Sequence, residues 1–319
     1  MITVIINEYK TLWEKYFLNF RNVASPLRKP ALFDWLYNSY RCLYLSCVDP
    51  SLVSRLTDLK TCLAMIGVAV DDSCDYALLR EKNGGDKFSY EILSMLYNTD
   101  KIESGDYILL DAHLTNNMYI KTTVEIYSDL IKNQIASLPR YCDFRGEFLL
   151  AMRNVAESME FSYLLNKNKI VYPFSHVVRS RAASTMIETH SLLDLMSSKN
   201  FDTSELGKAI VLFKQADIVA MLSNTINTWT REITERDYSC PVISLALEKK
   251  LIKFSDFERA SAENLKEKLS PVSEMIENEL DKAILSMKEF AENSEIKSFD
   301  TSKFVNNYVN LYWQTDAMN

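Results

Sequence analysis

An acidic cluster in the run D-D-S-C-D has the residue types and the spacing of a divalent-cation site. Asp71 and Asp75 are four residues apart, so a helix would place both carboxylates on one face, with Asp72 beside them. Mg²⁺ prefers oxygen ligands and is usually held by a few carboxylates together with substrate phosphates. Residues 63–70 are almost wholly apolar, and carboxylates at the end of such a buried helix are unfavourable unless a cation compensates them. The alternative is a solvated acidic turn that ends an apolar helix.

A second cluster, in the run N-T-I-N-T-W-T-R-E, offers an amide, a hydroxyl and a carboxylate. Asn224, Thr228 and Glu232 stand at positions i, i+4 and i+8, so they would line one stripe of a helix. Two such stripes facing each other could hold a diphosphate through shared Mg²⁺ ions. Taken alone, the second cluster is equally compatible with three polar residues on a solvated helix face.

The two clusters together resemble the paired metal motifs of the class I terpene synthases. The second motif of many microbial members is N-D-x-x-S-x-x-K-E. In this chain Asn224, Thr228, Arg231 and Glu232 fill the matching positions, with Thr in place of Ser and Arg in place of Lys. Thr225 stands where the family usually has Asp, at a position that is not usually a direct ligand.

This resemblance implies a fold, a cofactor and a reaction. The fold would be a single-domain helical bundle over residues 1–319, similar to the α domain of class I terpenoid synthases. The reaction would be that of a lyase, a terpene cyclase that ionises farnesyl or geranylgeranyl diphosphate, cyclises the carbocation and releases diphosphate. The cofactor would be Mg²⁺, three ions in that family. The implied metal ligands are Asp71, Asp72, Asp75, Asn224, Thr228 and Glu232.

Arginines and a tryptophan complete the set of site residues that the resemblance implies. In the family an arginine upstream of the second motif senses the diphosphate. Arg181, followed by Ser184 in a pattern similar to R-x-x-T, is the favoured candidate, and Arg179 stays open. Arg231 would also donate to the diphosphate, and Trp313 matches the tryptophan of the final helix that faces the pocket. The Arg-Tyr pair that usually follows this tryptophan in the family is not found here.

Composition and periodicity predict an all-α protein. Only 6 glycines and 7 prolines occur in 319 residues, too few for the many tight turns of a sheet-rich fold. The signals Asn83-Gly84-Gly85 predict a helix stop, and Ser270 before Pro271 predicts that the last long helix restarts there. Helical spacing of apolar residues predicts long helices over 52–82, 105–136, 173–196, 203–236 and 255–292, among others.

Charge and cysteine use exclude several classes of function. The net charge of −7 and the absence of a basic stripe argue against a nucleic-acid partner. Six cysteines without CxxC spacing and three scattered histidines give no zinc pattern. No uninterrupted apolar run reaches the roughly 20 residues of a membrane span, so we expect no stable membrane insertion and a cytoplasmic location. Homodimer formation is compatible with the sequence.

Two other functions fit parts of the pattern. A prenyl transferase shares the all-α architecture but normally carries a second Asp-rich motif, which residues 224–232 do not form. A catalytically silent helical binding protein would explain the missing Arg-Tyr pair. Aromatic side chains of the early helices, Trp35, Tyr37 or Tyr40, could stabilise a carbocation or could simply pack in the core.

Overall fold

The computed structural model describes residues 11–21 and 30–313, and all regular structure in these two ranges is helical, without a strand. The prediction of an all-α protein is therefore confirmed. The α-helices are α1 (Leu12–Arg21), α2 (Pro30–Tyr40), α3 (Val53–Asp75), α4 (Ala77–Asn83), α5 (Asp86–Tyr97), α6 (Thr99–Ser104), α7 (Met118–Asp129), α8 (Tyr141–Asn168), α9 (Phe174–Ala182), α10 (Ile187–Met196), α11 (Leu206–Glu235), α12 (Pro241–Glu248), α13 (Phe254–Arg259), α14 (Ala262–Asn293) and α15 (Thr301–Trp313).

Two central helices, α3 and α11, organise the core. The α3 helix packs against α2, α8 and α10, and α11 packs against α9, α10 and α14. The buried apolar side chains form one cluster that extends from Trp13 to Tyr308. Residues Thr203–Glu235, which include α11, are by length and composition apolar enough to cross a bilayer, and 61% of their apolar window is buried inside the bundle.

The helix predicted over 52–82 is interrupted directly after the acidic cluster. Tyr76 has an extended backbone (φ −87°, ψ 96°), so α3 ends at Asp75 and α4 is a separate short helix. Gly84, with φ 118°, then ends α4, which confirms the predicted Asn-Gly-Gly stop. Arg80 Nη1 donates to the carbonyl of Cys74 at 2.5 Å and thereby caps the end of α3. The carboxylates consequently lie in the last turns of α3.

The helix predicted over 173–196 is also broken, by a 3₁₀ turn and a left-handed residue. Met186 has φ 62° and separates α9 from α10. Asp217, from the middle of α11, accepts hydrogen bonds from Thr185 Oγ1 at 2.6 Å and from Ile187 N at 2.8 Å. A buried carboxylate thus satisfies donors at the start of α10, which explains how the break is held.

The region predicted as a helix over 105–136 begins as irregular chain and a single 3₁₀ turn, Ala112–Leu114. Glu91 accepts hydrogen bonds from Leu110 N and Asp111 N, both at 3.0 Å, and these bonds hold residues 106–111 against α5. A regular helix starts only at Met118, as α7.

The predicted restart at Pro271 is wrong. Pro271 lies inside α14, which runs from Ala262 to Asn293 without interruption. The buried residues Leu265, Leu269, Val272 and Ile276 keep their helical spacing on both sides of the proline. Burial of this apolar stripe explains why the helix continues despite the lost backbone donor.

Candidate metal and diphosphate site at the ends of α3 and α11

The two sequence motifs meet at one end of the bundle. The Asp75 side chain is solvent accessible, but the pKa of its carboxyl is raised well above the usual value. The largest cause of the raised pKa is the loss of hydration among surrounding protein atoms. The negative charges of Asp71, Asp237 and Glu232 raise the pKa further, and the positive charge of Arg181 lowers it. The region around these charged side chains is referred to below as the cleft. The end of α3 and the end of α11 therefore share one electrostatic environment.

Arg181, on α9, stands at the centre of this cleft. The side chain is buried, and Nη1 donates to the carbonyl of Ser239 at 2.9 Å. Two looser ion pairs join Nη2 to Glu232 Oε1 at 3.8 Å and Nη1 to Asp237 Oδ2 at 4.0 Å. Burial lowers the pKa of the guanidinium, but the negative charges of Glu232, Asp237 and Asp75 have a larger, opposite effect, so the pKa is raised overall. The Nε atom has no hydrogen-bond partner among the described residues.

The second motif presents a buried carboxylate at the end of an accessible stripe. Thr228 Oγ1 lies 2.9 Å from Glu232 Oε1 and 2.8 Å from the carbonyl of Asn224. Burial raises the pKa of Glu232, and the charge of Arg181 opposes the rise. Glu232 Oε2 is buried, and no hydrogen-bond partner for it exists within the described ranges. Asn224 is exposed.

The first motif divides its three carboxylates between two sides of α3. Asp71 is half-buried and shares its face with Asp75, as the four-residue spacing predicts. Asp72 is buried, with 5% of its surface exposed, because one helical residue turns the side chain by about 100°. Asp71 and Asp75 therefore face the cleft side, and Asp72 faces the interior.

The two motifs supply carboxylate, amide and hydroxyl oxygens, which are the ligand types that Mg²⁺ accepts. Within the described residues, however, no three acidic, histidine or cysteine side chains lie close enough together to hold a metal ion. Glu232 Oε2 is buried near the Cys240 thiol and has no other hydrogen-bond donor among the described residues, so a cation could satisfy it. Three carboxylates, those of Asp75, Glu232 and Asp237, act on the guanidinium of Arg181, and Asp71 acts on Asp75.

The other two predicted arginines lie outside the cleft cluster. Arg179 is exposed, and its Nε donates to the carbonyl of Ser175 at 3.1 Å, within α9. Arg231 is exposed and lies 3.7 Å from Glu235 on the outer side of α11. Of the two arginines left open by the sequence, only Arg181 contacts a carboxylate of the second motif.

Trp313 is the last residue of α15, and its side chain lies outside the described residues. The pocket-facing role that the resemblance implies for this tryptophan stays a prediction.

Asp237 is a site residue that sequence reasoning missed. It lies five residues after Glu232 and directly follows Arg236, whose left-handed backbone (φ 60°) ends α11. Asp237 Oδ1 accepts from Ser239 N at 2.8 Å and from Ser239 Oγ at 2.7 Å, which leaves Oδ2 towards Arg181. The sequence signal for this residue is the triplet D-Y-S after a long helix, because an Asp side chain often accepts a hydrogen bond from the backbone two residues on and so forms a turn.

A close approach of α3 and α10 lies one turn below the acidic cluster. A Cβ atom added to Gly67 would lie 2.7 Å from Met186 Sδ and 3.8 Å from Met159 Cε. A larger residue at this position would therefore have to displace the Met186 thioether. Sequence reasoning missed Gly67, although it precedes Asp71 by four residues and shares its face.

Comparison of the chain with protein-family models gives no match, and comparison with curated proteins gives no significant match. The geometry around Arg181 thus carries the functional argument.

Proposed function

We propose that this protein is a Mg²⁺-dependent class I terpene cyclase that ionises farnesyl or geranylgeranyl diphosphate and cyclises the resulting carbocation. One observation carries the proposal: the buried guanidinium of Arg181 lies among carboxylates from both predicted metal motifs. Asp75, which interacts with Asp71, comes from α3, and Glu232 comes from α11. Such an arrangement is what a metal–diphosphate clamp needs.

Each side chain has a role that follows from its position. Asp71 and Asp75 would hold Mg²⁺ from α3, and Asn224, Thr228 and Glu232 would hold it from α11. Magnesium, when bound, neutralises the charge that develops on the departing diphosphate. Arg181 would donate Nε and its terminal nitrogens to diphosphate oxygens, which a planar guanidinium does well.

The charge balance of the cleft couples metal binding to substrate binding. The carboxylates of Asp71, Asp75, Glu232 and Asp237 outnumber the nearby positive charge of Arg181, so a diphosphate anion alone would be repelled. Divalent cations without diphosphate would have to compete with protons for Asp75 and Glu232, because the pKa of each of these two carboxyls is raised. We therefore expect Mg²⁺ and diphosphate to stabilise the protein together far more than either does alone.

Incubation of the purified protein with geranyl, farnesyl and geranylgeranyl diphosphates tests the proposal. The measurements are the release of inorganic diphosphate and the mass spectra of volatile hydrocarbons, each with Mg²⁺ and with a chelator. Arg181→Ala should lose diphosphate release, whereas Arg179→Ala, two residues away on the exposed side of α9, should retain it. Absence of diphosphate release with all three substrates would contradict the proposal.

The same experiment separates the alternatives. A prenyl transferase would consume isopentenyl diphosphate and form a longer diphosphate chain instead of a hydrocarbon. A silent binding protein would show neither turnover nor a rise in melting temperature that needs both Mg²⁺ and diphosphate.

A further inference from the structure

A groove between α1 and α7 is separate from the candidate metal site, and none of the candidate site residues lines it. Its volume is about 440 Å³, which is the size of a small-molecule site. The wall that α7 contributes is a single stripe, since Met118, Thr122, Ile126 and Asp129 follow one another at helical spacing. This stripe is roughly 16 Å long at the rise of an α-helix, so the groove is elongated.

The carboxylate of Asp129 is fixed at one end of the groove. The Tyr16 hydroxyl, from α1, donates to Asp129 Oδ2, and Asn133 Nδ2, from the π-helical segment Leu130–Ile135, donates to Oδ1 at 2.6 Å. Burial raises the pKa of Asp129, but these two hydrogen bonds and the charge of Lys15 outweigh it, so the pKa lies below its usual value. The carboxylate is therefore charged at neutral pH. Each of its oxygens can accept a further hydrogen bond from a donor in the groove.

A buried hydroxyl without a partner lies farther along the groove. Thr122 lines the groove, and only 8% of its surface is exposed. The next residue, Thr123, donates from Oγ1 to the carbonyl of Tyr119 at 2.8 Å, whereas Thr122 Oγ1 forms no hydrogen bond within the described residues. A buried polar atom without a partner is unfavourable, and a polar group of a bound molecule would satisfy it.

Hydrogen-bond acceptors and apolar surface alternate along the groove. Glu125 lies four residues before Asp129, so their side chains are roughly 6 Å apart on one side of α7. Asn19 adds an amide oxygen from α1. Ile126 and Met118 supply apolar surface between and beyond these acceptors. The groove therefore offers several acceptors in a row along a partly apolar wall.

The charge of the groove favours a cation. Two carboxylates line it, those of Glu125 and Asp129, against the single ammonium of Lys15. Lys15 Nζ lies 5.6 Å from the centroid of the Tyr16 ring, and no ion pair joins it to either carboxylate in the described part of the chain. Glu125 has only a loose, exposed ion pair with Lys121 at 4.0 Å, outside the lining.

We propose that this groove binds an aliphatic polyamine, a chain of ammonium groups separated by three or four methylenes. The terminal ammonium would donate to Asp129, and the next would reach Glu125, at a separation that such a run of methylenes spans. The methylenes would cover Ile126. An ammonium farther along would donate to Thr122 Oγ1 and to the Asn19 amide oxygen. Binding involves no covalent step and does not depend on the proposed cyclase function.

Isothermal titration calorimetry with the triamine spermidine, at constant ionic strength, tests the proposal. Asp129→Asn removes the charge and keeps an oxygen for the Tyr16 hydroxyl. Thr122→Val removes the hydroxyl without changing the size of the side chain, and Lys15→Met removes the competing ammonium. Glu277→Gln, on the exposed face of α14, removes one negative charge elsewhere and is the matched control for attraction to the net charge of the protein.

We expect Asp129→Asn to weaken spermidine binding by roughly tenfold or more, because a charge-assisted hydrogen bond is lost. Thr122→Val should weaken binding by about fivefold, the value of one neutral hydrogen bond. Lys15→Met should tighten binding by roughly twofold to threefold, because a like charge is removed. Glu277→Gln should leave the affinity unchanged. An octanediol with a hydroxyl at each end, similar in length but uncharged, should bind roughly tenfold more weakly than spermidine.

Equal weakening by Asp129→Asn and Glu277→Gln would overturn the proposal, because it would show attraction to the net charge only. Equal affinity for the octanediol, or no binding up to roughly 1 mM spermidine, would also overturn it. Circular dichroism monitors folding. If Asp129→Asn does not fold, unchanged affinity in both Thr122→Val and Lys15→Met overturns the proposal instead.

Discussion

Asp217 Oδ1 accepts a hydrogen bond from Ile187 N at 2.8 Å and so joins the middle of α11 to the first turn of α10. Asp217 precedes Asn224 by seven residues, two helical turns, and therefore lies on the same side of α11 as the second motif. The carboxylate holds the break that directs α9, and with it Arg181, towards Glu232.

Replacement of Asp217 should destabilise the fold. Asp217→Ala removes the acceptor for Thr185 Oγ1 and Ile187 N and leaves buried donors unsatisfied, so we expect a loss of about 2–4 kcal/mol in the free energy of unfolding. Asp217→Asn keeps one acceptor oxygen and should lose less. Chemical denaturation measures both. Equal stability of Asp217→Ala and the unaltered protein would contradict this account of the break.

Asp217 should also give the stability a pH dependence. Burial raises its pKa from 3.8 to about 7, against the opposing hydrogen bond from Thr185. Between these two values the unfolded chain has lost the proton while the folded protein keeps it. The free energy of unfolding therefore falls by up to about 4 kcal/mol as the pH rises from 3.8 to about 7. Above pH 7, Asp217 causes no further change in stability.

The comparison of the unaltered protein with Asp217→Asn isolates this effect. The stability of the unaltered protein relative to the variant should decrease from pH 4 to pH 8, measured by denaturation at several pH values. A difference that stays constant over this range would show that Asp217 does not change its protonation there.

Gly67 and Met186 should be energetically coupled. Gly67→Ala gains about 1 kcal/mol in helix propensity but forces a Cβ to within 2.7 Å of the Met186 thioether, and overpacking of this kind costs about 1–3 kcal/mol. We expect Gly67→Ala to be neutral or destabilising in the unaltered chain. In the Met186→Ala background, where the thioether is gone, the same substitution should be stabilising. A double-mutant cycle measures the coupling, and additive effects would contradict it.

Lys60 and Asp194 form a buried ion pair whose partners depend on each other. Lys60→Met leaves the Asp194 carboxylate buried without its cation, and we expect a loss of about 3–5 kcal/mol. The double variant Lys60→Met/Asp194→Leu removes both charges and should recover much of that loss. Thermal denaturation of the three proteins checks this, and a double variant less stable than Lys60→Met would contradict it.

The carboxylates of the candidate site should matter for turnover and not for folding. Asp71→Asn and Glu232→Gln should each lower diphosphate release by roughly 100-fold or more with unchanged helical content, because each removes an anionic oxygen from the metal site. Glu277→Gln, on the exposed face of α14, is the matched control and should retain full activity. Turnover at the unaltered rate in either site variant would remove that residue from the mechanism.

The sequence could not distinguish Arg179 from Arg181 as the arginine that faces the second motif. The two arginines are two residues apart, so a helix points them about 200° away from each other. Local spacing establishes that only one of them can face α11. The packing of α9 against α11 and α12 decides that it is Arg181.

The amino-acid order by itself determined the helical class, the shared face of Asp71 and Asp75, the single stripe of Asn224, Thr228 and Glu232, and the stop at Gly84. These follow from helical period and from backbone preferences, which act over a few residues. Only the tertiary structure decided where the helices break, at Tyr76 and Met186. It also decided that Asp237 lies beside Arg181 and that His190 is buried against Tyr40. Each of these features depends on contacts between segments that are distant in the sequence. The burial of a helix face and the charges around it are determined by the segments that pack against it, and not by the residues of the helix itself.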